Sequence, residues 1–460
     1  MSTPGAVTSI AASLPVAAGR EGAAEAAIIE LVGRPVAWFR LAGGEHRGAL
    51  GPTEGQVIER CVAEALDLGI PIVGVLATSG ADVRDGIASL HAWGRIANAM
   101  TRASGVVPLA LIVAGPCLSG PALLLGLADV VVMTEDSFAY VSGPRAIASF
   151  TGTQIGHELL GSPLVHTRRT GVAAMSASNE EEALAATAAI LGYLPANNCE
   201  EAPLLWTDDP PDRPCAAAAD AVPASTTASY DVRTVVEDVC DQSSFIELWA
   251  PYAPNMVTGL ASLGGHPVGI VANQPCQRAG TIDIEASRKA ARLVQWCDSF
   301  NVAVLTFVDT PGFEPGKDLE WRGMIRHGAE LVMAYAAATV PRLCVVLRKA
   351  YGGAYIVMDS KTLGNDLCLA WPGAEIAVLG APAAVQILHG KRLNGDNDRR
   401  QALEEEYERN HCSPAPAAAR GYVDQVVDPA STRRLLTDAL RVLVRKQDRH
   451  PRRRHTNSPL

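Results

Sequence analysis

Two kinds of apolar pattern alternate along the 460-residue chain. In EGQVIERCVAEALDLG (54–69) and ASRKAARLVQWCDSFN (286–301) apolar residues return every three or four positions, which predicts amphipathic helices. Each is followed by a Val/Ile/Leu-rich run, IPIVGVLATSG (70–80) and VAVLTFVDTPG (302–312), which predicts a buried strand ending in a glycine turn. A second helix is predicted over GIASLHAWGRIANAMTRAS (86–104) and GMIRHGAELVMAYAAAT (323–339). Next come another apolar strand, a glycine-rich turn opening a third helix, and a short strand ending near Gly143 or Gly380.

The two series are one series written twice. VVPLALIVAGPCLSGPA (106–122) aligns with TVPRLCVVLRKAYGGAY (339–355), pairing Pro108 with Pro341 and Gly120 with Gly353 at an offset of 233. The preceding strands align at 232, and AYVSGPRA (139–146) aligns with AVLGAPAA (377–384) at a start-to-start offset of 238. Three blocks in the same order predict two copies of one fold. Strands alternating with helices make that fold α/β with parallel pairing. Between the copies, NNCEEAPLLWTDDPPDRPCAAAADAVPAS is rich in Pro, Asp and Ala and reads as a linker.

Composition narrows the chemistry. A net charge of −10 argues against a nucleic-acid-binding body. Ten scattered cysteines without a CxxC pair predict buried thiols in a reducing cytoplasm, and the ten histidines show no metal-binding spacing. The Ala-rich N-terminus lacks the basic start of a signal peptide and reads as a mobile leader. No apolar run approaches the ~20 residues of a membrane span. The basic tail RKQDRHPRRRHTNSPL reads as a solvated end or a docking contact in an oligomer.

The remaining candidates are the two strand–turn–helix junctions, Cys117-Leu118-Ser119-Gly120-Pro121 and Ala350-Tyr351-Gly352-Gly353-Ala354. A helix start presents unpaired N–H groups and a partial positive charge, and small residues let another oxygen approach. Such a turn serves either packing or the holding of an oxyanion, an enolate or a tetrahedral intermediate. Glu135 and Asp136 follow the next strand and read as a solvated turn. Without a carboxylate in either turn, a stand-alone enoyl-CoA hydratase is not expected. His327 and Cys117 are read as helix or core residues.

The segments 272–316, IRHGAELVMAYAAATVP, LRKAYGGAY and RGYVDQVVDP closely resemble the carboxyltransferase (beta) subunit of biotin-dependent acyl-CoA carboxylases, the acetyl-CoA and propionyl-CoA carboxylase type. ASGVVPLALIVAGPC and SGPRAIASFTGTQIGHELLG carry the likeness into the first half, so it runs from about residue 47 to the C-terminus. The resemblance implies an α/β chain built as a tandem duplication of crotonase-like (ClpP/crotonase) ββα superhelix domains. Its expected divisions are a leader 1–28, an acyl-CoA-side domain 29–200, a linker 201–228 and a biotin-side domain 229–460. It implies a hexamer, homomeric or mixed with a paralogue, with the active site between domains of different subunits. The carboxyl group would come from carboxybiotin, and the α-carbon of a short acyl-CoA would receive it as an enolate.

On the same resemblance, Gly353 and Ala354 would hold the biotin ureido oxygen, and Ser119 and Gly120 the thioester oxygen. Gly352, Tyr355 and Ile356 would line the biotin turn, and Cys117, Pro121, Gly80, Ala81 and Gly143 the acyl turn. No biotinyl-lysine motif or ATP-binding segment is present, so a partner biotin carboxylase and biotin carboxyl carrier (alpha) subunit is implied. No metal is expected. The chain departs from the family on the acyl side. The usual G-P-C-A-G-G-A reads G-P-C-L-S-G-P, and the usual arginine of the loop after the first Gly turn is Asp82. Proline brings no N–H, and a free aspartate would repel CoA phosphates. A biotin-dependent decarboxylase, a carboxylase of an unusual acyl thioester and a non-catalytic paralogue subunit therefore stand as alternatives.

Overall fold

The computed structural model describes residues 20–44, 46–393, 396–446, 448, 457 and 459. The chain divides into two units. One runs to Pro203 and takes in Trp249–Tyr252 and Ser299–Asn301; the other holds Leu204–Leu248, Ala253–Asp298 and the chain from Val302 onward.

The first unit is built on strands β1 (Arg20–Glu21), β2 (Ala24–Leu31), β3 (Arg34–Leu41), β4 (Ile72–Thr78), β5 (Leu109–Leu118), β6 (Val130–Thr134), β7 (Phe138–Tyr140) and β8 (Met175–Ala177). They form one sheet in the order β1-β2-β3-β4-β5-β6-β8, with β7 paired to β5. The hairpin β2–β3 is antiparallel and every pairing from β3 onward is parallel. The second unit repeats the plan with β9 (Ile246–Leu248), β10 (Met256–Leu263), β11 (His266–Asn273), β12 (Ala303–Thr310), β13 (Arg342–Tyr351), β14 (Leu367–Ala370), β15 (Glu375–Ala377) and β16 (Gln425–Val426). Its order is β9-β10-β11-β12-β13-β14-β16, with β15 paired to β13.

The duplication extends to the irregularities. Pairing slips between Leu76 and Thr78 in β4 and between Val308 and Thr310 in β12, both 232 residues apart. Thr78 Oγ1 accepts the Gly80 N–H at 3.1 Å, and Thr310 Oγ1 accepts that of Gly312 at 3.4 Å. Isolated bridges join Leu50 to Ala81 and Ile282 to Phe313. Gly48 and Gly280 have φ of 69° and 77°, and a β-carbon on them would stand 2.2 Å from Ala77 O and 2.4 Å from Asp309 O. Only glycine fits either place.

Packing follows the apolar pattern. All eight residues of β12 are buried, as expected for a strand covered on both faces. The helix Pro52–Leu68 buries Val57, Ile58, Cys61, Val62 and Ala65 along one stripe and ends at Gly69 with φ 64°. Each such side chain contributes about 1.5–3 kcal/mol of burial when large and fully enclosed.

Several expectations change. The turn after β5 opens a 3-10 helix, Gly120–Leu127, and that after β13 a helix of only six residues, Gly352–Val357. The expected leader reaches too far, because β2 starts at Ala24; residues 1–19 lie outside the described residues, as does most of the basic tail. The Pro/Asp-rich segment 201–228 is not a free tether. It contains the helix Ala216–Ala221, Cys215 and Ala218 are fully buried, and Arg213 pairs with Asp209 and Asp238. Eight cysteines are buried free thiols, whereas Cys199 and Cys276 are exposed. Among the described residues no helix is long and apolar enough to cross a membrane, and no cluster of His, Cys, Asp and Glu could hold a metal ion.

Candidate functional site

Each unit brings one glycine turn to the end of a largely buried strand inside its sheet. In the first, β5 runs out at Leu118 and Ser119 turns the chain with φ 63° and ψ −141°, a conformation that glycine adopts more readily. The Ser119 N–H donates to Tyr140 O at 3.0 Å, and Ser119 O accepts from Ala122 N at 3.1 Å. Gly120 begins the 3-10 helix, and Pro121 follows with no N–H. Gly80, with φ 107°, comes close beneath: a β-carbon there would meet Leu118 O and Ser119 Cβ at 3.3 Å.

The structure therefore gathers Gly80, Cys117, Ser119, Gly120 and Pro121 at one turn. Ala81 lies beside them in its bridge to Leu50, and Gly143 caps the helix Pro144–Thr151 against the Tyr140 ring. The arrangement corrects the assignment of Ser119, whose amide is engaged by Tyr140; Gly120 is the main-chain donor left at this turn. Cys117 is fully enclosed, and burial pushes its thiol up to about 12, so it is no nucleophile.

In the second unit β13 ends at Tyr351, and Gly352 turns the chain with φ 60°. The amides of Gly353 and Ala354 stand at the helix start without an intrahelical acceptor. A β-carbon on Gly353 would find only the Phe313 ring, at 3.6 Å, so the turn is open on that side. Ala354 and Tyr355 are buried, and Ile356 is 40% exposed. The Tyr351 hydroxyl donates to Glu375, which fixes the strand end to β15.

Behind the turn lies a buried ion cluster that the sequence reading missed. The Asp309 carboxylate accepts from Arg348 Nε at 3.0 Å and Lys349 N at 3.2 Å, and Arg348 reaches Ser225 O and Ala228 O. The neighbours Arg348-Lys349 in an apolar strand were the available signal. His327 lies on the helix Met324–Ala337 with Nδ1 2.8 Å from Glu330, as a helix residue and not a free base.

Asp82 is the second correction. The acid expected to repel CoA phosphates is held by Arg84, whose guanidinium and backbone N–H both bond its carboxylate and keep its pKa well below the usual carboxylate range. Arg84 thus returns a cation to the loop two residues after the position where the family carries arginine.

Matched at the offset of 233, the turns pair Ser119 with Gly352, Gly120 with Gly353 and Pro121 with Ala354. One offers two adjacent main-chain donors and the other a single one. Both are suited to an oxygen that gains negative charge, because aligned N–H dipoles need no reorganisation when the charge forms.

Comparison with known proteins gives the following. The family model described as "Carboxyl transferase domain" matches residues 30–458. The chain is 42% identical over 435 residues, 94% of its length and 84% of the relative's, to a protein of Haloferax mediterranei named propionyl-CoA carboxylase, carboxyltransferase subunit. It is 39% identical to the methylmalonyl-CoA decarboxylase subunit alpha of Veillonella parvula, over 90% of this chain and 80% of that one. A crystal structure of transcarboxylase 12S, described as a hexamer assembly with methylmalonyl-coenzyme A and methylmalonic acid bound, superposes with a TM-score of 0.91 at 38% identity, covering 95% of this chain and 85% of the other.

Proposed function

The chain belongs to the carboxyl transferase domain family, and from that premise we propose how its two turns move a carboxyl group between biotin and the α-carbon of an acyl-CoA. It is a carboxyltransferase of the propionyl-/methylmalonyl-CoA carboxylase type, on the crotonase-like fold. Carboxybiotin, brought by a biotinylated partner subunit, supplies the activated carboxyl group and the base for the α-proton. The observation that carries the residue-level reading is the open turn at Gly353, where a flat ureido group has room beside two adjacent amides.

In this reading the Gly353 and Ala354 amides hold the ureido oxygen. The Gly120 amide holds the thioester oxygen and stabilises the enolate as the α-proton leaves. Side chains take no proton: Cys117 is a buried thiol and His327 is bonded to Glu330. Arg84 sits at the loop edge where CoA phosphates would be met. The working assembly is a hexamer.

The test is reconstitution with a biotin carboxylase, a biotinylated carrier, ATP and bicarbonate, following product mass with acetyl-, propionyl- and butyryl-CoA. Carboxylated acyl-CoA is expected, and no product from any of the three would refute the reading. Gly353→Val puts methyl groups against Phe313 and into the hole, and is expected to lower transfer at least ~100-fold with the fold retained. Near-normal turnover of that variant would reduce the turn to a structural element.

A further inference from the structure

The helix that the second turn opens is too short to hold its own shape. Gly352–Val357 has six residues, and a helix below ~12–15 residues is marginal by itself. Its conformation is set by what anchors its two ends. The start is held by β13 and by the bond from Tyr351 to Glu375. The end is held by Arg342, the first residue of β13. Arg342 Nη1 donates to Asp359 Oδ1 at 2.7 Å, and Nη2 donates to Leu363 O at 3.0 Å and Gly364 O at 2.6 Å. Met358 N donates to Tyr355 O at 3.2 Å and Ser360 N to Ile356 O at 3.3 Å, so the backbone on either side of Asp359 is bonded to the helix. Asn365 Nδ2 donates to Asp359 O at 2.5 Å. One guanidinium thus closes strand, turn, helix and return segment into a ring, and the Gly353 and Ala354 amides lie on that ring.

The clasp costs stability. Arg342 and Asp359 are both buried, and Asp359 stands at φ 57°. Asp359 Oδ2, Arg342 Nε and Asn365 Oδ1 have no hydrogen-bond partner among the described residues. A buried ion pair is seldom a net gain in stability, and buried polar atoms left unpaired are a loss. Burial pushes the Asp359 carboxyl up to about 7, against the pull of Arg342. Asp366 adds to the rise and Lys446 opposes it, and Lys446 Nζ itself donates to Asp366 Oδ2 at 3.1 Å. The other titratable groups against Asp359 are Tyr335, bonded to Thr306, and Cys344, whose Sγ faces Met358 O. The first unit has a leucine at the place of the arginine: Leu109 N donates to Asp129 Oδ2 at 2.8 Å as Arg342 N does to Asp366 Oδ2 at 2.9 Å. Its return from Pro121 to Asp129 is four residues shorter than that from Ala354 to Asp366. The ion pair accompanies the turn with two main-chain donors.

We propose that Arg342 and Asp359 are positioning residues for the Gly353–Ala354 turn: the ion pair holds the short helix with its first amides in place for the ureido oxygen, and a proton on Asp359 slackens that hold. The inference rests on the reading of this turn as the biotin side. It gives a reason for an ionised pair that stability alone disfavours. The two effects of pH have opposite signs. With the carboxyl at about 7 in the folded protein and ~3.9 in the unfolded chain, the folded state binds the extra proton between those values, so this group's contribution to stability falls as pH rises. Positioning improves over the same rise, because the carboxylate forms. A merely structural pair would move activity and stability together.

Asp359→Asn keeps the shape and removes the charge. In the reconstituted complex, carboxyl transfer by wild type and variant is expected to agree within about twofold at pH 6 and to differ about tenfold at pH 8, a fraction of the ~100-fold that a 1 Å misplacement can cost. Taking the ratio cancels the pH dependence of carboxybiotin itself. Affinity for propionyl-CoA, read by calorimetry, is expected to stay within about twofold, since that ligand belongs to the other turn. The denaturant-derived stability of wild type minus that of Asp359→Asn is expected to fall from pH 5 to 7. A measurement on the wild type alone serves if the variant does not fold: amide hydrogen exchange across 352–358, followed by mass spectrometry and corrected for the intrinsic rate, is expected to show less protection at pH 6 than at pH 8. A ratio flat in pH, a stability difference that rises with pH, a tenfold loss of propionyl-CoA affinity, or equal protection at both pH values would each overturn the inference. If the wild type transfers carboxyl and these effects are missing, the clasp alone fails; if protection changes as expected and the wild type transfers none, the clasp stands and the reading beneath it fails.

Discussion

Ser119 carries a β-carbon at φ 63° and ψ −141°, a region that costs a non-glycine residue roughly 1–3 kcal/mol. Its counterpart is Gly352, and Ser119→Gly is expected to raise the thermal midpoint by a few degrees, read by calorimetry; an unchanged or lower midpoint would mean the turn is unstrained. Ile356 is 40% exposed on the helix Gly352–Val357, and we propose that it lines the acyl pocket. Ile356→Asp is expected to shift preference towards propionyl-CoA by up to the ~10-fold or so that a small pocket change delivers, read as the ratio of kcat/KM for acetyl-, propionyl- and butyryl-CoA. Fixed ratios would remove Ile356 from specificity. At this scale the sequence was informative where chemistry is local: a glycine doublet closing an apolar run marks the second turn by itself. It was silent where chemistry depends on a distant partner. Nothing near Ser119 says that Tyr140 takes its amide, and nothing near Trp93 says that its ring packs on Gly120.

Among the elements, strands and long helices were legible because burial repeats with the period of the backbone, whereas the turn helices were not. Gly120–Leu127 winds as a 3-10 helix behind Pro121, and Gly352–Val357 stops after six residues, lengths too short for a periodic signal. The segment before residue 228 misled for the opposite reason: its polar residues are engaged in buried pairs. The helix Ile284–Ser299 hides a similar case. Lys289 is buried, and its Nζ donates to Met256 O at 2.6 Å, tying the helix to the start of β10. Burial, against the pull of Glu247, lowers its pKa to about 7. Between pH 7 and the ~10.4 of a free lysine the unfolded chain holds a proton that the folded one does not, so this group makes stability rise with pH. The denaturant-derived stability of wild type minus that of Lys289→Met is expected to grow by up to about 1.4 kcal/mol per pH unit from 7 to 10. A flat difference would show that the lysine stays charged inside the protein.

The whole molecule is a fold written twice: the aligned blocks predicted two copies of an α/β fold with parallel pairing, and the structure gives each copy a sheet of the same strand order. The antiparallel hairpins β2–β3 and β10–β11 precede the first helix of each copy, where the aligned blocks had not begun. A hexamer is expected in light scattering at micromolar concentration, and a monomer there would contradict the assembly proposed above. The repetition also shapes how such a protein can change. On the proposed reading both turns work through main-chain N–H groups, so replacing a side chain leaves the donors in place, and selection can rework the surroundings for a new acyl group without losing the reaction. Proline is the exception, the one coded residue that deletes a donor outright. Pro121 is therefore the residue of the two turns whose replacement by alanine would add a main-chain donor.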